Sequence, residues 1–461
     1  MSKSKEMGYT NIPPILFELI TFIAGALPVR SIPTFIELLI GAMLTQSGFV
    51  TDAFLIIDPL RNWTTYYKWL QKGIWSWLAV GKRLTEMVHS FFPQQRQFLI
   101  IDDTIVYRHS AKAPGSSIYH QHGNKPNRPQ YARGQCWVTL ALSVGSWAKN
   151  TAVPLISRLM RSDGNSGKLD AANVLIRAIA GKFAGRVTYV LIDAWFMKWP
   201  LIKNVLAYEF NVIGQVRKDT ALYLIPEKIT GKRGAPRKMG NKIERDMIDA
   251  LDESIEEVFV YGKFQTISYR SCICIARFMD KRKVRVIWTR FEDKNGKADK
   301  ERLLISTDLN LDARAAILIY GRRWGIESLF NQMKNFWGWK ETWQQTRQTL
   351  HRWVQILSVA YALPQLLSVY CQETMDSFRM LTPWRKNINM TAGQVRLGLK
   401  IILRNVRVRD WWCPKSRKFQ MPLQFDSKPL CNENTDYEGS CNPECLKNDN
   451  LNHIQDNLKT G

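Results

Sequence analysis

Three places in this 461-residue chain put carboxylates where chemistry could use them. Asp102 and Asp103 end the short apolar run Phe98, Leu99, Ile100, Ile101, and Asp193 ends a second run from Val187 to Ile192. Both runs are β-compatible and unbroken, which predicts buried strands that deliver acids at their ends. Glu327 lies in a helical pattern. At 100° per residue Tyr320, Arg323, Glu327, Asn331 and Lys334 share one polar stripe about 80° wide. Leu318, Ile326, Leu329, Met333 and Phe336 fall on the opposite face, where they can hold the helix to a core. Taken alone, the stripe is an ordinary solvated face whose Arg323 to Glu327 pair is worth about 0.3–0.5 kcal/mol. Three acids set among cations suit metal: hard oxygen ligands bind Mg²⁺ or Mn²⁺. Two such ions roughly 3.5–4 Å apart can stabilise the attacking and leaving oxygens of an in-line phosphodiester displacement.

The partner follows from charge. Lys plus Arg number 65 against 40 Asp plus Glu, a formal +25 that favours a polyanion such as nucleic acid. The segment from Cys431 holds six acids against Lys447 and Lys459, so the basic character belongs to the body. The apolar stretch Ile12 to Val29 carries Glu18 and three prolines and is short of a span of roughly 20 residues, so it reads as a buried helix. Eight scattered cysteines without a recognisable secretory signal predict free thiols and a cytoplasmic protein.

The elements that must position the acids follow in order. Residues 1–95 read as a helical N-terminal domain in which Thr34 to Leu44, a turn at Gln46, Ser47 and Gly48, and Thr51 to Ile57 form helix, turn, helix. DNA contact is one use of that unit and plain packing the other. Residues 96–209 read as the first part of an α/β core, with strands at Cys136 to Val144 and Thr151 to Ile156 and a helix from Leu169 to Phe183. Residues 210–305 read as a β-rich insertion. Within 306–375 a long helix begins near Asn310 or Asp312 and runs past Lys334. Residues 376–425 are basic and aromatic, including Arg385, Lys386, Arg396, Trp411, Trp412 and Arg417, and 426–461 have the composition of a disordered acidic tail.

Tyr320, Arg323, Glu327 and Lys334 match the Y-(2)-R-(3)-E-(6)-K pattern, and in this the chain resembles bacterial insertion-sequence transposases of the DDE class. Ile101, Asp102, Asp103, Thr104 is similar to their first catalytic segment, and Ile192, Asp193, Ala194, Trp195, Phe196 to their second. The resemblance covers roughly Gln97 to Lys340. It implies an RNase H-like core, a mixed sheet with helices, carrying a β insertion before the Glu helix. It implies that Asp103, Asp193 and Glu327 bind two Mg²⁺ or Mn²⁺ ions and that Tyr320, Arg323 and Lys334 contact phosphates. Strand alternation sends Asp102 and Asp103 to opposite faces, so only one can join the site. The resemblance favours Asp103, next to Thr104.

The activity implied is cleavage at the ends of a mobile element and strand transfer into target DNA by a homodimer on double-stranded DNA. A metal-dependent nuclease that does not join strands, or a non-catalytic DNA-binding relic, would share most of these features. His109, His120 and His122 read as polar loop rather than zinc site, and Cys413, Cys431, Cys441 and Cys445 match no zinc spacing. The loop containing Gly231, Lys232, Arg233 and Gly234 could track a DNA backbone. Trp324, Trp337, Trp339 and Trp343 read first as core around the Glu helix and second as platforms for a base.

Overall fold

The structure is a computed structural model that describes residues 12–120, 129–160, 166–226, 237–292, 299–385, 389–404, 406–413, 415–416 and 418–419. The acidic tail, His122, Lys386, Arg417, the last three cysteines and the loop from Gly231 to Gly234 lie outside the described residues.

Among the described residues five α-helices come first: α1 (Pro14–Ala24), α2 (Ile32–Leu44), α3 (Val50–Leu55), α4 (Trp63–Lys72) and α5 (Trp77–Phe91). The core follows with β1 (Arg96–Tyr107), β2 (Ser116–His120), β3 (Tyr131–Gly145), β4 (Asn150–Leu159), α6 (Ser166–Ile179), β5 (Val187–Ile192), α7 (Trp199–Leu206) and β6 (Asn211–Val216). Then come β7 (Leu222–Tyr223), α8 (Arg245–Asp249), β8 (Ser254–Val260), β9 (Lys263–Ala276), β10 (Arg282–Glu292) and β11 (Arg302–Ser306). The last major elements are α9 (Ala313–Gly321), α10 (Gly325–Phe336), α11 (Arg347–Tyr370) and α12 (Ala392–Leu403).

Eleven strands among the described residues form one sheet. Its first half runs β4, β3, β1, β5, β6, with β4, β3 and β1 antiparallel and β1, β5 and β6 parallel. Such a mixed sheet with flanking helices is consistent with an RNase H-like α/β core. The strands of 210–305 do not stand apart from it. β6 is a core strand, and β11, β10 and β9 extend the same sheet from its edge by antiparallel pairing. Continuous apolar strands such as Val187–Ile192, buried from Thr188 onward, are what a sheet covered on both faces requires.

The N-terminal helices are packed into this body. Every residue of α2 from Pro33 to Leu44 is buried, so α2 has no face to offer DNA. The Gly48 turn is pressed onto the turn after α10: a Cβ on Gly48 would come within 1.8 Å of the Gly338 carbonyl oxygen. Gly338 itself sits at φ +66°, where a side chain is strained. The Gly48 N–H donates to Glu341 at 3.0 Å, and the Trp353 indole donates to the Gly48 carbonyl at 2.7 Å.

α11 is the one described helix long and apolar enough to cross a membrane, yet 89% of its apolar window is buried inside the protein against β4, α2, α4, α5 and α12. His351 in α11 is stacked on Trp77, with its Nε2 accepting from the Leu159 N–H at 3.1 Å and its Nδ1 2.7 Å from the Arg347 carbonyl. Those partners require the neutral ring with hydrogen on Nδ1. Burial, with the Arg347 charge opposing protonation further, pushes its pKa down to about 4. The unfolded chain therefore takes up a proton near pH 6.5 that the folded chain refuses until about pH 4. Stability is full above pH 6.5 and falls as pH drops towards 4, by up to about 3 kcal/mol. Urea unfolding at pH 7 and pH 4.5 should show that loss in the natural chain and a smaller one in His351→Gln; equal losses would rule out this source.

Candidate active site

Parallel pairing fixes the first two acids. Ile101 is opposite Ile192 in the β1–β5 register, so Asp102 and Asp193 are the next residues on neighbouring strands. The β1 burial pattern changes from fully buried at Ile101 to half-buried at Asp102 and Asp103, and Thr104 and Val106 are buried again beyond them. Asp193 follows β5 directly and caps the turn after it, its Oδ1 accepting the N–H groups of Trp195 and Phe196 at 3.0 Å each. That side-chain to backbone bonding fixes the turn beside the acid.

The third acid arrives on α10. Asp312 caps α9 by accepting from Arg314 and Ala315, as the sequence pattern predicts. The expected single long helix is instead two, joined by one 3₁₀ turn at Arg322–Trp324. Arg322 anchors that turn: its guanidinium donates to the Ser143 hydroxyl at 3.1 Å and the Gly145 carbonyl at 2.5 Å, between the rings of Phe98 and Trp147. Nothing in the stripe pattern distinguished this buried arginine from its neighbour.

Arg323 is the hub. It donates to Asp102 Oδ2 at 3.1 Å and to Glu327 Oε1 at 3.0 Å. Burial opposes its charge, but Tyr320, Asp102 and Glu327 outweigh burial and hold the guanidinium firmly protonated. Asp102 is the opposite case: burial, then the charge of Asp193, raise its pKa to about 7, with Arg323 pulling the other way. Negative charge is thus crowded between Asp102 and Asp193, and Arg323 is the cation that partly offsets it.

Alternation along β1 gives the paired aspartates different partners. Asp102 faces α10 with Arg323, whereas Asp103 faces α6. Lys168 on α6 lies 3.0 Å from Asp103 Oδ1 and 2.9 Å from Oδ2, and the Cys136 thiol donates to Oδ2 at 3.4 Å. The structure therefore joins Asp102, not the expected Asp103, to Glu327 through Arg323. Sequence alone could not tell which of two adjacent acids faced the helix, and Lys168, one lysine in an amphipathic helix, gave no signal.

The remaining expected residues are placed as follows. Tyr320 is only 5% exposed, under Arg323, whose guanidinium lies 5.8 Å from its ring. It therefore reaches Arg323 rather than solvent. Lys334, Glu327 and Asn331 line a cleft of about 900 Å³ together with Tyr107, His109 and Arg133. Trp337 and Trp339 are buried core, while Trp324 and Trp343 are exposed. Phe336, assigned to the apolar face, is also exposed.

Among the described residues no three Asp, Glu, His or Cys side chains are gathered closely enough to hold a metal ion as they stand. The donor set is nevertheless of the right class for a hard cation. Asp102 and Asp193 crowd negative charge, and a guanidinium already bridges Asp102 to Glu327 as a stand-in cation.

A family model described as DDE superfamily endonuclease matches residues 43–271, just under half of the chain. The match takes in Asp102, Asp103 and Asp193 and ends before the helix that carries Glu327. It points to the DDE superfamily of transposases and endonucleases and to a nuclease- or transposase-like role in general. No curated protein matches the chain.

Proposed function

We propose that this protein is an insertion-sequence DNA transposase that cuts the ends of its element and joins them to target DNA, with Asp102, Asp193 and Glu327 as metal ligands. The observation that carries the reading is the Arg323 bridge from Asp102 to Glu327, with Asp193 on the adjoining parallel strand. The Tyr320, Arg323, Glu327 and Lys334 spacing supports transposition over cleavage alone.

Bound Mg²⁺ or Mn²⁺, in one or two ions, would supply a polarised phosphodiester and an activated nucleophile. The chain's own residues do the rest. Asp193 is held at a fixed turn by two backbone N–H groups, so its second oxygen is the one that can turn to a ligand. Arg323, once released from the two acids, is placed to meet a phosphate. Tyr320 limits how far it swings by lying beneath it. Lys334 and Arg133 line the cleft beside Glu327, where their charge favours a DNA backbone. A net charge of +25 draws double-stranded DNA to the body as a whole. Two element ends must be held together for joining, so the active form is a homodimer on DNA, working in the bacterial cytoplasm.

The test uses the full chain and a plasmid with a marker between the gene's own flanking sequences. With Mg²⁺ the marker should be excised and joined to a second plasmid, and with EDTA neither product should form. Cleavage without joined plasmids would reduce the activity to that of a nuclease. DNA binding with no metal-dependent product would leave a non-catalytic binding protein.

A further inference from the structure

We propose that Lys168 is a phosphate-binding residue beside this site and that Asp103 is its positioning residue. The inference rests on the transposase reading for its substrate, but its geometry is independent of that reading. Both Asp103 oxygens lie within 3.0 Å of the Lys168 ammonium, and the Cys136 thiol steadies one of them. The carboxylate is thereby aimed at a single lysine. Burial works against that lysine's charge, but Asp103 first, and then Asp193, keep the ammonium more strongly protonated than usual.

Lys168 also lies 4.8 Å from the centre of the Trp195 ring, and Lys198 lies 4.0 Å from the same ring. Trp195 is set by the Asp193 turn, since Asp193 accepts its N–H. Two ammonium groups are thus fixed against one indole two residues from a proposed metal ligand. The Lys168 side chain keeps 19% of its surface exposed, enough to meet a ligand without leaving Asp103.

The chemistry that fits is a phosphodiester oxygen. The acids of the site repel a DNA backbone, and cations held by their own counter-ions and an aromatic face can receive it without being drawn into the carboxylates. A plain ion pair tying β1 to α6 would not need the second lysine on Trp195. Asp103 in this arrangement acts through Lys168 and does not touch the reacting atoms.

The decisive measurement compares the natural full chain with Lys168→Gln, Lys168→Arg and Asp103→Asn. Affinity for a labelled duplex carrying the gene's flanking sequence is measured over a range of salt without divalent ions, and cleavage is measured with Mg²⁺. Lys168→Gln should reduce the slope of log affinity against log salt by about one and raise KM about tenfold, with kcat changed less. Lys168→Arg should keep both near the natural values. Asp103→Asn keeps the lysine but slackens it, so KM should rise by up to about tenfold. An unchanged slope and KM in Lys168→Gln, or loss of both in well-folded Lys168→Arg, overturns the proposal. Should Lys168→Gln not fold, an unchanged KM and slope in Asp103→Asn overturns it instead. If the natural chain binds the duplex but never cleaves it, the transposase reading fails, and the salt slope alone still decides the role of Lys168.

Discussion

Asp102→Asn is expected to lower metal-dependent strand cleavage by about three orders of magnitude, equivalent to about 4 kcal/mol of transition-state stabilisation. Glu327→Gln should do the same. Asp103→Asn should lower kcat/KM by no more than about tenfold, through KM. The expectation follows from the two faces of β1. Asp102 shares Arg323 with Glu327 and feels the charge of Asp193, so removing its charge removes one of the crowded negative groups that a divalent ion would neutralise. Asparagine has nearly the same shape, so packing at this half-buried position is preserved and the loss reports charge. Asp103 is already satisfied by Lys168 and Cys136 on the other face. Single-turnover cleavage of the marker plasmid distinguishes the pair. An inactive Asp103→Asn beside an active Asp102→Asn would return the ligand role to Asp103 and refute the reading of the face.

Much of the core was legible because its signals are local. The run Val187 to Ile192 forms β5 over those same residues, and the strands near 136–144 and 151–156 are present but longer. The helix cap at Asp312 was readable because capping depends on one residue and the N–H groups just after it. What failed to show was non-local. Adjacent aspartates on a strand look alike until it is known which helix covers which face. The polar stripe on α9 and α10 assumed an unbroken helix, but the 3₁₀ turn at Arg322 to Trp324 tightens the path between Tyr320 and Glu327. The boundary expected at residue 210 rested on a change to β-rich composition, and composition does not reveal that β6 and β11 pair within the core sheet.

Basic residues were the most ambiguous class. Arg396 was grouped with the basic C-terminal segment, yet it is 8% exposed and donates to the carbonyls of Met43, Thr45 and Phe336, with its guanidinium 3.7 Å from the Trp337 ring. Arg108 likewise joins β1 to the carbonyls of Lys340 and Thr342. These arginines hold the helical region, the sheet and the segment after α10 as one packed body. Such a body has consequences for function, because the helices that begin the chain are not free to reorient on DNA independently of the acids.

The strongest test of that packing is Arg352. From α11 it donates to the carbonyls of Leu70 at 2.8 Å, Gly73 at 2.5 Å and Trp75 at 2.6 Å, and more weakly to Trp69 at 3.4 Å, with its guanidinium 4.8 Å from the Trp75 ring. Leu70 lies in the last turn of α4, whose carbonyls lack partners further along the helix, and Gly73 and Trp75 lie in the turn that follows it. Arg352→Ala removes several charge-assisted bonds and leaves buried carbonyls without a donor, so it should cost about 3–5 kcal/mol. Arg352→Lys keeps the charge but cannot span the fork, and should recover only a minor part of the loss. Urea unfolding of the full chain, followed by tryptophan fluorescence, reads the difference as a shift in the midpoint. A shift in Arg352→Ala below about 1 kcal/mol would mean that α4 is held by its apolar face alone. A large shift accompanied by early exposure of α4 to protease would show that this guanidinium is what fastens the N-terminal helices to the core.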